Sequence, residues 1–569
     1  MIKPRKAVLE MDEYNPPTAG REDYIRLDFN ENAEGCSQKA LDALRKIKAG
    51  TLAAYPEYSK LTKELAKYCN VREDEILPTN ATDEAIKTII ETYAEKGKDE
   101  IIIPTPTFAM FKFYAQLNEA LIKEVLYNDD LSFPTSKVLN SINKKTKIVV
   151  LVNPNNPTGT SIKDEDITKI IEKAKNNEAL VFIDEAYWQF YGKTSIPLIK
   201  KYDNLIVTQT FSKAFGLAGL RLGYIVSNKE NIKNMAKALS PYSVNAAAIS
   251  CGLASLNDAE YANNYAKEVS ESKKIIYDEL EKLKIKYYPS DANFVLLKLG
   301  KNSGIFCRKM KESGILVRDR SSDPLLEGCV RITLGTKEQT KKLISAIESS
   351  MKEINPLLIF DIDGVLVDTS KSYRVAIKKT VEHFTEKETS LQDVQALKNM
   401  GGYNNDWDAS EALIKLKGKT IGKQEIIDKF QEIYRELRDN EPWLLDKELL
   451  ESLSRRYKMA VFTGRIREEA EYVLRKNNAR KYFESIIAME DVVKRKPNPE
   501  GILKIMNGSK DAYYFGDMVD DMRAAASANI TGIGVLPPQD KSKEMEELLI
   551  ANGAKMVLDD INKITETIK

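Results

Sequence analysis

From Ile101 onward, short apolar runs of strand length alternate with longer segments in which apolar residues recur at helical spacing among lysines and glutamates. The runs IIIPTP, KIVVLVNP, ALVFIDEAY and NLIVTQTF predict strands, and segments such as DEDITKIIEKAKNNE predict the amphipathic helices between them. Alternation of this kind implies an α/β fold with a mostly parallel sheet. The pattern restarts after Asn355-Pro356, where LLIFDIDG, KMAVFTGR, SIIAMED and AYYFGDM are each strand-like and each precede a helical stretch. Between the two series, TKEQTKKLISAIESSMKEI predicts one amphipathic helix stopped at Asn355-Pro356, because proline cannot continue a helix. The expected units are therefore residues 1–354 and 355–569. A chain of 569 residues is also too long for a single hydrophobic core.

Composition narrows the classes of function. Hydrophobic residues make up 43% and charged residues 30%, a globular balance that excludes a disordered chain. With 86 Lys+Arg against 85 Asp+Glu and a formal net charge of +1, there is no global field to hold nucleic acid or an anionic membrane, and neither partner is expected. The five cysteines, Cys36, Cys69, Cys251, Cys307 and Cys329, are scattered and never form Cys-x-x-Cys, which argues against a disulfide framework or a zinc knuckle. The opening MIKPRKAVLEMDEY has no apolar signal core and the longest apolar runs, such as IVVLV, are strand-sized, so a cytoplasmic location is expected. A single histidine, His383, excludes any mechanism that needs a His triad or a multi-His metal site. Acid–base work falls to Lys, Asp, Glu or Tyr.

Five segments of the first unit carry one kind of chemistry in a fixed order: NATDEA (80–85), PTPTFAMF (104–111), NPNNPTG (153–159), FIDEAYWQF (182–190) and TFSKAFGLAGLRLGY (210–224). A cofactor that stabilises a carbanion needs a lysine for its Schiff base, an anion near its pyridinium nitrogen and donors around its phosphate. Lys213 follows a strand and opens a glycine-containing turn. Asp184 ends the apolar strand ALVFI, where an ionised carboxylate is costly to bury unless a cation pairs with it.

Taken in order, these segments resemble the fold type I, class I/II pyridoxal phosphate-dependent aminotransferases, and among them the histidinol-phosphate aminotransferase family, from about Tyr14 to Thr336. The resemblance implies a large α/β domain with a smaller one, a homodimer, and pyridoxal phosphate joined to Lys213, which is also the proton shuttle. It implies that Asp184 pairs with the pyridine nitrogen, that Tyr187 and Asn156 hydrogen-bond the ring oxygen, and that Phe108 stacks on the ring. Ser212, Arg221 and the backbone amides of Ala81 and Thr82 would hold the phosphate, with Tyr55 reaching it from the neighbouring subunit. Ala81-Thr82 stands where the family usually has Gly-Ser, a change that leaves backbone donation intact. Arg331 matches the arginine that binds the substrate's distal anion, a task that suits guanidinium because its planar fork donates two parallel bonds. Tyr14 and Asn32 resemble the N-terminal segment that closes over substrate, and Arg318 and Arg320 would supplement the anion site.

In the second unit, LLIFDIDGVLVDTS places Asp361 and Asp363 just after an apolar strand. Side chains two apart on extended backbone share a side, so both carboxylates can face one reaction centre, and Gly364 lets the chain turn away. Thr463 ends KMAVFTGR, Lys496 lies in KRKPNPEG, and Asp517 and Asp521 lie in YYFGDMVDDMRAA. This order resembles the haloacid dehalogenase-like phosphatases, which implies a Rossmann-like domain with a helical cap, here the insert at about 371–446. By that resemblance Asp361 attacks phosphorus, while Asp363 protonates the leaving alkoxide and later activates water. Magnesium would bind Asp361, Asp517, Asp521 and a backbone oxygen of Asp363, with Asp521 favoured over Asp520 because it matches the family's spacing. Thr463 and Lys496 would hold the phosphoryl oxygens. Within the cap, Tyr403, Asn404, Asn405, Asp406 and Trp407 either reach substrate or form a helix-cap turn, and His383 is a packing or surface residue.

The paired resemblances imply consecutive reactions of histidine biosynthesis. Glutamate would donate its amino group to imidazole acetol phosphate, giving histidinol phosphate and 2-oxoglutarate, and the phosphate of histidinol phosphate would then be removed. Other readings stay open: an aminotransferase of another amino acid, aromatic ones especially, or a phosphatase of unrelated small-molecule specificity. A non-catalytic second half is also open, although the presence of both Asp361 and Asp363 speaks against it.

Overall fold

The computed structural model describes residues 2–13, 18–400, 403, 405–507 and 511–568. The chain forms two compact units that divide at Ile347/Glu348. In the first, seven strands make one sheet: β1 (Ile76–Thr79), β2 (Glu100–Thr105), β3 (Leu121–Leu126), β4 (Thr146–Val152), β5 (Leu180–Asp184), β6 (Leu205–Thr210) and β7 (Gly223–Ser227). Their order is β1-β7-β6-β5-β4-β2-β3, and every pairing is parallel except the two made by β7. The runs Ile148–Leu151, Val181–Ile183 and Leu205–Val207 are buried throughout. Strands covered on both faces have no polar side to show, so they read as unbroken apolar stretches.

A smaller antiparallel sheet pairs β8 (Phe294–Lys298) with β9 (Cys329–Thr333), flanked by two-residue strands at Tyr287–Tyr288 and Arg318–Asp319. The expected helix before Asn355 spans Lys337–Ile354. The division between units falls inside it, upstream of the expected 354/355 boundary. Glu348 pairs with Arg455 at 2.6 Å and Glu353 with Lys458 at 2.5 Å, which ties the helix's last turns to the second unit.

The second unit has six parallel strands: β10 (Leu357–Phe360), β11 (Met459–Phe462), β12 (Ser485–Ile487), β13 (Ala512–Gly516), β14 (Thr531–Val535) and β15 (Ala554–Leu558). Their order is β12-β11-β10-β13-β14-β15, so the chain starts at the centre and winds first to one edge, then to the other. The carboxyl ends of β10, β11 and β13 meet at that reversal, where open α/β sheets form their crevice. Between β10 and β11, the helices Tyr373–Thr385, Leu391–Asn399, Asp406–Leu416 and Lys423–Leu437 close on a core of their own that includes Ile377, Val381, Ile414, Ile426 and Phe430. All five cysteines are free. Among the described residues no helix is long and apolar enough to cross a membrane.

Two candidate active sites

In the first unit, a cavity of about 550 Å³ is lined by the last residues of β4, β5 and β6, namely Val152, Asp184 and Thr210. The helix Ala81–Tyr93 begins at this cavity, and the N–H groups of a first turn have no partners within the helix. Ala81 enters that turn in the left-handed region, at φ 61. Gly223 packs directly against it: a Cβ there would lie 2.9 Å from the Ala81 carbonyl carbon. Asp83, in the same first turn, forms an ion pair with Arg221.

Lys213 is presented by the loop after β6. Gly216 makes that loop possible, because its φ is +72 and a Cβ would sit 1.8 Å from the Gly35 carbonyl oxygen. The Lys213 amine donates to the carbonyl oxygen of Phe29 at 2.9 Å. Burial, then the positive Arg331, lower its pKa to about 8. Asp184 is 2% exposed, accepts from the Ala186 N–H at 3.1 Å and the Thr208 hydroxyl at 3.4 Å, and has no ion-pair partner among the described residues. Burial pushes its pKa up to about 7. Tyr187 accepts from Asn30 Nδ2 at 2.9 Å. Arg331 Nη2 donates to the Asp28 carbonyl at 2.6 Å and Nη1 to Asn156 Oδ1 at 2.5 Å, so its guanidinium plane is fixed before any substrate arrives.

Of the residues expected from sequence, Ala81, Thr82, Phe108, Asn156, Asp184, Tyr187, Ser212, Lys213, Arg221 and Arg331 all line this cavity, as do Arg318 and Arg320. Asn32 is outside the lining; its Nδ2 donates to the Ala214 carbonyl at 2.9 Å, which fastens the N-terminal segment beside Lys213. Tyr55 is also outside it, 79% exposed and stacked on Tyr242 with centroids 4.5 Å apart. Tyr14 lies outside the described residues. Phe29, Asn30 and Asp83 line the cavity without having been singled out from the sequence. Phe29 contributes a backbone carbonyl, which no side-chain motif encodes.

In the second unit, carboxylate oxygens of Asp361, Asp517 and Asp521 lie within 4.8 Å of one another, all buried. Two glycines make this crowding possible. A Cβ on Gly364 would fall 2.1 Å from Asp517 Oδ2, and one on Gly516 would fall 2.3 Å from Asp521 Cβ. Lys496 Nζ stands 3.1 Å from Asp361 Oδ1 and 2.8 Å from Asp521 Oδ1. Burial acts to lower the Lys496 pKa, but Asp361 and Asp521 outweigh it and raise the value. Burial pushes Asp361 up to about 7, and burial with the charges of Asp521 and Asp361 raises Asp517 far above the carboxylate range. Asp517 Oδ1 is buried without a hydrogen-bond partner among the described residues. With Lys496 the one cation in ion-pair contact among the described residues, the carboxyls of Asp361 and Asp517 hold protons tightly, and a divalent cation that displaced those protons would suit the cluster.

Thr463 is buried at the end of β11 and its Oγ1 accepts from the Arg465 N–H at 3.2 Å. The Asp363 carboxylate is outside the acidic cluster and is held by Arg465 instead. Asp520 is buried but also outside the cluster. Of the cap residues, Asn405 caps the helix Asp406–Leu416 by accepting from the Asp408 N–H at 3.0 Å, and Asp406 pairs with Lys398 at 2.5 Å. Asn405 and Asp406 thus open a capped helix, yet Asn405, Asp406 and Trp407 also line a small cavity with Asp363. Tyr403 packs against the cap core, and Asn404 lies outside the described residues. His383 is exposed, edge-on to Phe384.

The family model of aminotransferase class I and II matches residues 22–347, and that of haloacid dehalogenase-like hydrolase matches residues 358–535. The histidinol-phosphate aminotransferase of Caldanaerobacter subterraneus subsp. tengcongensis is 40% identical over 294 residues, covering 51% of this chain and 82% of the relative. That of Methanocaldococcus jannaschii is 38% identical over 342 residues, covering 58% and 89%. The crystal structure of the histidinol-phosphate aminotransferase from Clostridium acetobutylicum shares the fold, with a TM-score of 0.53 at 23% identity, covering 57% of this chain and 98% of that one.

Proposed function

Because the chain belongs to the class I and II aminotransferases and continues into a haloacid dehalogenase-like hydrolase domain, we propose that it catalyses two successive reactions. The first moves an amino group from glutamate to imidazole acetol phosphate, giving histidinol phosphate and 2-oxoglutarate. The second is magnesium-dependent hydrolysis of histidinol phosphate.

Asp184 carries the first assignment. A carboxylate 2% exposed, without an ion-pair partner among the described residues, calls for a cation in the cavity that it lines. A protonated pyridine nitrogen meets that need, and pyridoxal phosphate, when bound, supplies an electron sink. Lys213 is the amine that would hold the cofactor through its aldehyde, and its Nζ, when free, takes and returns the proton at the substrate carbon. Its lowered pKa suits that exchange near neutral pH. Phe108 packs on the ring, and Tyr187 and Asn156 hydrogen-bond the ring oxygen. Ser212, Arg221 and the amides of Ala81 and Thr82 hold the phosphate, with Tyr55 of a second copy completing the site in a homodimer. Arg331, held by Asp28 and Asn156, receives the distal anion of either substrate, with Tyr14 closing over it.

In the second domain, residues 355–569, Asp361 forms a bond to phosphorus as the ester P–O bond breaks. Asp363 gives a proton to the departing alkoxide and then takes one from the water that releases inorganic phosphate. Thr463 and Lys496 orient the phosphoryl oxygens. Asp361, Asp517, Asp521 and the backbone oxygen of Asp363 would hold magnesium, which when bound neutralises phosphoryl charge. Covalent linkage to the aminotransferase supports histidinol phosphate as substrate, since the first reaction makes it on the same polypeptide.

Purified full-length protein is incubated with pyridoxal phosphate, histidinol phosphate, 2-oxoglutarate and magnesium, and glutamate and phosphate are assayed. Both products are expected. Release of phosphate from other esters but not from histidinol phosphate would assign the second domain a different substrate.

A further inference from the structure

Arg465, two residues beyond Thr463, is 3% exposed. Its Nε and Nη2 both donate to Oδ1 of Asp363, at 2.9 and 2.6 Å. Its Nη1 donates to Glu441 Oε2 at 3.0 Å and to the Tyr434 hydroxyl at 3.1 Å, and its guanidinium lies over the Tyr373 ring, 4.6 Å from the centroid. Glu441 is fixed in turn through Oε1, which accepts from Ser372 Oγ at 2.7 Å and from Tyr434 at 3.3 Å. Tyr373 and Tyr434 belong to helices of the insert between β10 and β11. One buried cation therefore joins the end of β11, the carboxylate after β10 and the helical insert.

Burying a guanidinium this fully is costly unless its donors are satisfied, and here four bonds to three partners satisfy Nε, Nη1 and Nη2. The effect on Asp363 is specific. Its side chain is 30% exposed, enough to move if left alone, yet two donors pin one oxygen. The other oxygen, Oδ2, has no hydrogen bond to a described residue.

We propose that Arg465 is a positioning residue for cleavage of the phosphate ester. It holds Asp363 by Oδ1, so that Oδ2 carries the proton that passes to the alkoxide oxygen as the P–O bond breaks. The carboxylate left behind is stabilised by the same guanidinium, and Glu441 and Tyr434 make the helical insert set where that acid stands. The proposal rests on the reading of Asp363 as the group that protonates the leaving alkoxide. Its consequence depends on the leaving group: an alkoxide needs that proton, whereas a nitrophenolate leaves without it.

Full-length Arg465→Lys, the double variant Arg465→Met with Glu441→Gln, and Asp363→Asn are compared with the parent in magnesium. The substrates are p-nitrophenyl phosphate and whichever of histidinol phosphate and β-glycerophosphate the parent cleaves faster. The double variant removes the cation together with its fully buried partner Glu441, so that of the two carboxylates it held only the part-exposed Asp363 loses its cation. For all three proteins we expect kcat on the alkyl ester to fall about 100-fold, while kcat on the aryl ester falls less than about 5-fold and KM changes little. Equal losses on both esters, or none, in the Arg465 variants would overturn the positioning role while Asp363→Asn keeps its selective loss. If Asp363→Asn itself shows no selectivity, the reading of Asp363 fails, and this proposal with it.

Discussion

The Lys213 amine donates to the Phe29 backbone carbonyl at 2.9 Å, in a cavity that also holds the Arg331 guanidinium. Burial and that neighbouring positive charge bring the lysine to about 8 from an ordinary 10.5. Only the neutral amine attacks an aldehyde. The neutral fraction grows as pH rises toward the lowered pKa, so uptake of pyridoxal phosphate by cofactor-free protein should accelerate about tenfold per pH unit and level off near pH 8. Absorbance of the bound cofactor reads the rate. Acceleration continuing toward pH 10.5 would show that the amine titrates like a solvated lysine.

Asp184→Asn keeps the shape of the side chain and removes its charge. If a pyridinium pairs with this carboxylate, the variant should lose at least about 100-fold in transamination rate, since breaking a buried ion pair costs about 3–5 kcal/mol. Cofactor affinity, measured by absorbance titration, should fall with it. Unchanged rates with glutamate would separate this carboxylate from the cofactor.

Arg331→Lys keeps the positive charge but loses the planar fork that bonds both the Asp28 carbonyl and Asn156. A point charge cannot maintain those two bonds and also meet an anion in two places. KM for glutamate should rise about tenfold or more, with little change in the spectrum of the bound cofactor. A loss of the spectrum instead would move Arg331 from substrate to cofactor binding.

How far the sequence alone reaches depends on which atoms do the work. Lys213, Asp184, Asp361, Lys496 and Asp517 are side chains in short motifs beside apolar strands, and the order in which those motifs resemble two families singles them out. The edge strands β1 and β3 are less legible. Pro78 interrupts β1, and β3 turns Leu121 and Leu126 toward solvent at 44% and 47% exposure, so neither is a continuous apolar run. The Phe29 carbonyl leaves no mark in the sequence. Nor does the pairing of Arg465 with Glu441 and Asp363, because it joins residues 24 and 102 positions apart that only the packing of the insert onto the sheet brings together.

The three carboxylates after β10 and β13 set stability against function. Burial, with Asp521 and Asp361, raises the pKa of Asp517 far above 3.8, so the folded state binds a proton that the unfolded chain releases. Stability from this group is thus greatest at acid pH and is lost as pH rises from about 4 toward the folded value. Without metal at neutral pH, Asp517→Asn should therefore melt higher than the parent, by about 3 °C or more for each kcal/mol of repulsion removed. The advantage should shrink in acid, where the unfolded chain is protonated at this position as well. Adding magnesium should reverse the order, because a ligand bound only by the folded parent stabilises it by mass action. The variant should show no phosphatase activity at either pH. Differential scanning fluorimetry, following the transition that magnesium moves, reads all three effects. A metal-free variant that melts below the parent at neutral pH would mean that Asp517 is held by favourable contacts and that the cluster stores no repulsion for a cation to relieve.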